Sequence, residues 1–160
     1  MADEALAAPA ASVAQLLRLD HHRLDAVLAA AKQSLRAGDV ARARARFAEF
    51  REGLERHIAA EEEVLFPAFE ALTGGAGGGP TRVMRSEHGE LRKLMDEIAS
   101  GLEGGGEGHT NPLAALTARI YAHNGKEERI LYPALDRVAG DAGTLEALVD
   151  RIRRRGILAA

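Results

Sequence analysis

The feature that most restricts the fold of this chain is a duplication. Residues 57 to 70 read HIAAEEEVLFPAFE and residues 123 to 136 read HNGKEERILYPALD, with His, Glu, Glu, Leu, Pro and Ala at the same six relative positions. Apolar residues around both stretches recur at spacings of three and four, so both are helical. In a helix, residues four apart differ by about 40° in azimuth and one turn in height, which makes His57 with Glu61, and His123 with Glu127, stacked pairs in line with an apolar stripe. Pro67 and Pro133 cannot donate to the carbonyls of Glu63 and Arg129, which predicts a bend one to two turns beyond each pair.

Two glycine-rich segments, TGGAGGGP at 73 to 80 and GLEGGGEGHTNP at 101 to 112, interrupt any helix. The first helix is expected to start at Ser12, in capping-box spacing with Gln15, and to end at Gly38. The second spans about 39 to 72, the third about 81 to 100 behind Pro80, and the fourth about 111 to 139 with Asn111 as its cap and Pro112 next. A short last helix at about 144 to 155 follows.

Every long stripe is interrupted by a histidine. His21 falls between Leu17 and Leu24, and His88 between Met84 and Leu91. The second stripe runs Leu54, His57, Glu61, Leu65, Ala68, Leu72, and the fourth Ile120, His123, Glu127, then Ile130 or Leu131. His21 to His57 is 36 residues and His88 to His123 is 35, so a whole helical hairpin is duplicated. The expected fold is all-α: an antiparallel up-and-down four-helix bundle with a short C-terminal helix, built from two duplicated hairpins. One domain over residues 12–160, behind a flexible leader of residues 1–11, suits a chain of 160 residues. With only four Phe, two Tyr and no Trp, propensity also favours helices over sheets.

Composition removes several chemistries. The absence of cysteine excludes disulfides, thiolate metal sites, Cys nucleophiles and iron–sulfur ligation, so any transition metal must be held by nitrogen and oxygen. A formal charge of −3 advertises neither nucleic acid nor an anionic membrane as partner. The local basic runs, Arg42, Arg44 and Arg46 and then Arg151, Arg153, Arg154 and Arg155, read as solvated helix faces. The opening MADEALAAPAAS carries acids where a signal peptide needs bases, and no apolar run approaches the roughly 18 residues of a membrane span. A soluble, cytoplasmic protein is expected.

Four histidines and two glutamates thus face one bundle interior. A carboxylate in a dry core without partners costs several kcal/mol or protonates, so two of them in two stripes call for a cation. Imidazole suits iron, zinc, copper and nickel, while bridging carboxylates favour a pair of hard ions. Four nitrogens and two bridging carboxylates therefore point to two iron ions, joined by an oxo or hydroxo bridge, with zinc or another divalent metal the alternative. Each ion would receive two imidazoles and one oxygen from each glutamate, leaving room for an exogenous ligand.

DHHRL at 20 to 24, HIAAEEEVLFP at 57 to 67, EHGEL at 87 to 91 and HNGKEERILYP at 123 to 133 resemble, in that order, the motifs of the hemerythrin-like (HHE) cation-binding domain family. The resemblance implies a non-haem di-iron centre with His21, His57, Glu61, His88, His123 and Glu127 as ligands. Within DHHRL the family spacing selects His21, and His22, about 100° away, is expected at the surface. Oxygen-carrying members present a second histidine one turn along the third helix, where this sequence has Arg92, which leaves a nearly symmetric site. Glu62 and Glu128 read as outer-sphere acceptors, an extra ligand or solvated faces, Glu63 and Glu87 as weaker candidates and His109 as a non-ligand, while Tyr132 reads either as a packed aromatic or as a residue that hydrogen-bonds or gates a bound oxygen species.

The function expected is a binding module for a small diatomic or peroxide: dioxygen, nitric oxide or hydrogen peroxide. An enzyme acting on peroxide or nitric oxide is the second class and iron storage or sensing the third, while the family resemblance also implies redox sensing or repair of iron centres. In the third class the last helix, with Leu145, Leu148, Val149 and Ile152 on one face, either engages a protein partner or closes the end of the bundle. Ferritin-like Glu-x-x-His pairs and the HExxH motif of zinc hydrolases are absent.

Overall fold

Local chemistry sets the helix boundaries. Ser12 Oγ accepts from Gln15 N at 3.0 Å at the start of α1 (Val13–Arg36), and Gly38, at φ 75°, ends it in the left-handed region that a Cβ disfavours. Asp39 N donates back to Ser34 O, and the Asp39 side chain then caps α2 (Val40–Ala60) by accepting from Arg42 N. The structure, a computed structural model, describes residues 12–75, 78–105 and 109–158. Among these residues all regular structure is helical and there is no strand. The leader expected over residues 1–11 lies outside them.

The second and fourth rods are not uniform α-helices. After α2 comes a π-helical turn, Glu61–Leu65, and then α3 (Phe66–Thr73). The duplicate has α5 (Thr110–Lys126), a π turn at Glu127–Leu131 and α6 (Tyr132–Asp141). Each π turn begins on the second residue of a His/Glu pair and ends just before Phe66-Pro67 or Tyr132-Pro133. A proline has no N–H for the preceding turn, and the widened register, in which Phe66 N bonds Glu61 O and Tyr132 N bonds Glu127 O, absorbs that loss. The proline thus acts as far back as the glutamate, earlier than the bend expected from sequence.

The extra residue in each π turn also rotates everything that follows. Leu72, assigned to the core stripe by uniform period, is 37% exposed, while Phe66 is fully buried. In the duplicate Leu131 is buried and Ile130 exposed, which settles that alternative. Between the rods, α4 (Pro80–Glu103) begins with Pro80 at its first turn, and α5 starts one residue before the predicted Asn111 cap. A short α7 (Leu145–Arg153) closes the chain.

α1 packs along α2 and α4 along α5, and the two pairs meet through α2 with α4, α1 with α6 and α3 with α6. Gly53 lies where α1 comes closest to α2: a Cβ there would stand 2.7 Å from Leu24 Cδ2. The apolar side chains divide into two clusters. One contains Leu17, Leu65, Phe66, Met84, Leu131 and Tyr132, and the other Leu24, Leu54, Leu91 and Ile120. On every long rod the chain passes from one cluster to the other through a histidine, so the polar residues form a layer between two dry ones.

α7 buries Leu148, Val149 and Ile152 in the first cluster, against α1, α6 and the first π turn. That face therefore closes the end of the assembly and is not free for a partner. The basic runs are partly tied down: Arg44 donates to Leu102 O at 2.8 Å, Arg46 pairs with Glu49 and Arg155 with Glu63. No helix of the described residues is long and apolar enough to cross a membrane.

One contact unpredicted from sequence joins the halves. Asp136 on α6 accepts from Val13 N at 2.8 Å and Ala14 N at 3.1 Å, binding amides at the start of α1 that have no partner within the helix. Asp136→Ala is expected to lower unfolding free energy by about 1–2 kcal/mol, the range for lost helix caps. Urea denaturation of the purified variant checks this, and an unchanged midpoint would show that Ser12 alone suffices.

Candidate metal centre

The six sequence-predicted residues converge in the polar layer. His21 comes from α1, His57 from α2, His88 from α4 and His123 from α5, while Glu61 and Glu127 open the two π turns. All are buried, the two glutamates completely. Their donor atoms form two groups, each within 4.8 Å: Glu61, His88, His123 and Glu127, and His21, His57 and Glu127. His22 is exposed as expected, and neither group includes it or His109.

Every imidazole is oriented in the same way. Nδ1 of His21 lies 2.8 Å from Glu128, Nδ1 of His57 2.8 Å from Asp20, Nδ1 of His88 2.9 Å from Glu62 and Nδ1 of His123 2.9 Å from Glu87. A carboxylate partner makes Nδ1 the N–H donor, so in the neutral ring Nε2 presents a lone pair inward. The four acids are held in turn by Arg18 on Glu128, Arg23 on Asp20, Arg92 on Glu62 and Lys126 on Glu87. Burial pushes the carboxyls of Asp20, Glu62 and Glu87 up, but the hydrogen bonds and charges of these partners prevail and hold all three below the usual range.

These partners follow the duplication. Asp20 precedes His21 and reaches His57 within the first hairpin, as Glu87 precedes His88 and reaches His123 within the second. Glu62 follows Glu61 and crosses to His88, as Glu128 follows Glu127 and crosses to His21. A π turn brings consecutive residues closer in azimuth than the about 100° of an α-helix, which lets Glu61 face the centre while Glu62 reaches an adjoining ring. Sequence reading left Glu62 and Glu128 open, undervalued Glu87 and assigned Asp20 no role. The missed signal was an acid immediately before the inward histidine in both repeats.

Arg92, at the position where a further histidine was considered, stays outside the layer. It binds Glu55 at 3.1 Å and Glu62 at 3.2 Å, so it supports the acid that orients His88. Tyr132 fills both roles open to it, a ring packed in the first apolar cluster and a hydroxyl that hydrogen-bonds at the centre. Its buried hydroxyl lies 2.9 Å from Glu61 Oε2 and 2.8 Å from Glu127 Oε2, with Nε2 of His21 and His57 at 3.3 and 3.4 Å. The sequence places Tyr132 near the pair, but the rotation that turns its phenol between both glutamates belongs to the π turn.

The donor set suits cations. Nε2 of His88 and His123 face each other at 3.2 Å, a repulsive contact for two lone pairs unless a proton or metal ion lies between them. Oε1 of Glu61 and Oε1 of Glu127 are buried without a hydrogen bond among the described residues, although Nε2 of His123 lies 2.8 Å from the latter. With the four outer acids matched by four basic side chains, Glu61 and Glu127 meet only the imidazoles and the Tyr132 hydroxyl, and no lysine or arginine, among the described residues. A cation supplies what both observations lack.

Without an ion, protons take that role. Burial opposes charging His57, but Glu61 and the hydrogen bond to Asp20 push it up to about 10; burial likewise opposes His88, which Glu127 and Glu61 push up to about 10. His123 is raised by Glu127 against the same burial, and Glu127, against its own burial, is held well below the carboxylate range by His123, His21 and His88.

Comparison with known proteins agrees with the geometry. The hemerythrin HHE cation-binding domain matches residues 12–135, and the chain belongs to that family. Over 79 residues it is 35% identical to proteins called iron-sulfur cluster repair protein YtfE from Salmonella paratyphi B, Salmonella newport and Salmonella heidelberg, a stretch covering 49% of this chain and 34% of each relative. The chain thus aligns with about a third of the length of these relatives. No solved structure matches it significantly.

In chelator-treated protein, stabilisation from charged His57 and His88 is fully present below the unfolded value of 6.5 and disappears as pH rises through about 10. Metal binding near neutral pH should displace these protons, so affinity rises with pH; calorimetry in buffers of different ionisation enthalpy measures the release, and none would contradict the assignment. Asp20→Asn and Glu87→Gln leave all six inner donors in place yet should each weaken metal binding about 10- to 100-fold in competition titrations, while His22→Ala leaves it unchanged.

Proposed function

We propose that this chain is a non-haem di-iron protein that binds dioxygen, nitric oxide or peroxide, with His21, His57, Glu61, His88, His123 and Glu127 as metal ligands. The domain takes in residues 12–160 as an antiparallel up-and-down four-helix bundle of two duplicated hairpins, closed at one end by α7. The pairing of α1 with α2 and of α4 with α5, each through a short link, supports that topology. One observation carries the functional reading: four Nε2 atoms and two glutamates meet in a buried layer, each of the four Nδ1 atoms is anchored on an acid, and two glutamate oxygens have no hydrogen bond among the described residues.

Bound iron would supply redox chemistry and open coordination positions for a small ligand. The chain's own residues hold the imidazoles in one tautomer and keep bulk water out with apolar clusters on both sides. A binding module is favoured over turnover because, apart from the donors, their acid partners and Tyr132, the layer offers no acid or base among the described residues. Iron-centre repair is the second reading, motivated by the 35% identity to relatives bearing that name.

Metal analysis of protein purified anaerobically should give about two irons per chain, and separate exposure to oxygen, nitric oxide and peroxide should change the optical spectrum with at least one of them. His57→Ala leaves Glu61 buried without its nearest imidazole, at an expected cost of about 3–5 kcal/mol in stability together with loss of metal. Wild-type metal content in that variant would remove His57 from the site. For the second reading, iron-loaded protein is incubated with a cluster-damaged iron–sulfur enzyme, whose recovered activity would support repair.

A further inference from the structure

The duplicated scaffold makes the six donors nearly symmetric, and one atom breaks that symmetry. Tyr132 and Phe66 occupy equivalent positions in the two repeats, each just after a π turn and before a proline. Both rings stack on an inward histidine, Tyr132 on His21 with centroids 5.8 Å apart and Phe66 on His88 at 5.6 Å. Only the tyrosine carries an oxygen, and that oxygen projects between His21, His57, Glu61 and Glu127.

The two shortest distances fit a hydroxyl hydrogen bond as well as a shared ion, and it is the number of close neighbours that an ion accounts for and one proton does not. Donors at right angles around one ion, with bonds of about 2.1 Å, stand about 3 Å apart. Tyr132 Oη lies 2.8, 2.9, 3.3 and 3.4 Å from its four neighbours, and His21 Nε2 is 3.2 Å from Glu127 Oε2. A hydroxyl has one proton and serves one of these acceptors at a time; an ion serves them all. Around His88 and His123 no equivalent phenol oxygen is found among the described residues, and Phe66 fills that place beside His88.

We infer that Tyr132 is a metal ligand: its phenol oxygen joins His21, His57, Glu61 and Glu127 on one ion, and the exogenous small ligand binds the other ion, at the His88 and His123 position. This rests on the di-iron reading above. On ligation the O–H bond breaks, the proton leaves to solvent and the oxygen's electron pair is donated to the ion, with no change of oxidation state. The two positions then differ by one protein donor, five against four.

The chain has only two tyrosines, and Tyr121 is 82% exposed, so the test is unambiguous. Wild-type, Tyr132→Phe and Tyr121→Phe proteins are loaded with iron, oxidised to the ferric state and compared by metal analysis and visible resonance Raman spectroscopy, with azide as the exogenous probe. Phenolate ring modes, enhanced in a visible charge-transfer band, are expected in wild type and Tyr121→Phe and absent from Tyr132→Phe, which keeps both irons and its helical circular dichroism. Azide should bind once per chain in wild type and twice in Tyr132→Phe. Two irons without phenolate modes in wild type would reduce Tyr132 to a hydrogen-bond donor and overturn the inference, leaving the di-iron reading intact. Phenolate modes with a single iron per chain would keep Tyr132 as a ligand and overturn the paired-ion reading instead.

Discussion

The structure depends on a layer of charge buried between two apolar clusters. Glu61 and Glu127 have no accessible surface, and no lysine or arginine reaches them among the described residues; what faces them is imidazole nitrogen and one phenol. Such a layer is unfavourable unless its charges are compensated, and both available compensations, protons or cations, act on the same Nε2 atoms. The rest of the fold keeps these atoms aimed at one another. Leu17 and Leu24 bracket His21 and Met84 and Leu91 bracket His88, so each histidine is fixed along its rod by apolar packing above and below.

Around that layer the charges are nested. Each inner imidazole is held by an acid and each acid by an Arg or Lys nearer the surface, four times over. The outermost pairs are half-exposed and contribute little stability by themselves. Their effect is on orientation: an acid tied from outside keeps its other oxygen on Nδ1, and that hydrogen bond chooses the tautomer. Two of the acids reach across between hairpins, Glu62 to His88 and Glu128 to His21, so the centre also fastens the two halves together.

The π turns connect backbone to chemistry. A helix of uniform register would carry Glu61 inward and turn Glu62 and Phe66 away by the ordinary increments. The wider turn before Pro67 alters those increments, placing Glu62 on His88 and Phe66 against the same ring, and its copy before Pro133 places Glu128 on His21 and the Tyr132 hydroxyl at the centre. Duplication supplies the symmetry of the six donors, and a single difference between the repeats, Phe66 against Tyr132, removes it.

The sequence by itself determined the helical class, the extent of the four long rods and the inward position of His21, His57, Glu61, His88, His123 and Glu127, because period and repeat are local properties that survive any packing. It did not determine which neighbour each ring nitrogen meets. Asp20 on His57, Glu87 on His123, Asp136 on the start of α1 and Tyr132 between the glutamates are contacts between residues 36 to 123 positions apart, or depend on a change of helical register that the 3.6-residue period does not contain. Those were decided only when two hairpins met, because a side chain's partner is fixed by the rotation of its own helix and by what the facing helix presents at the same height.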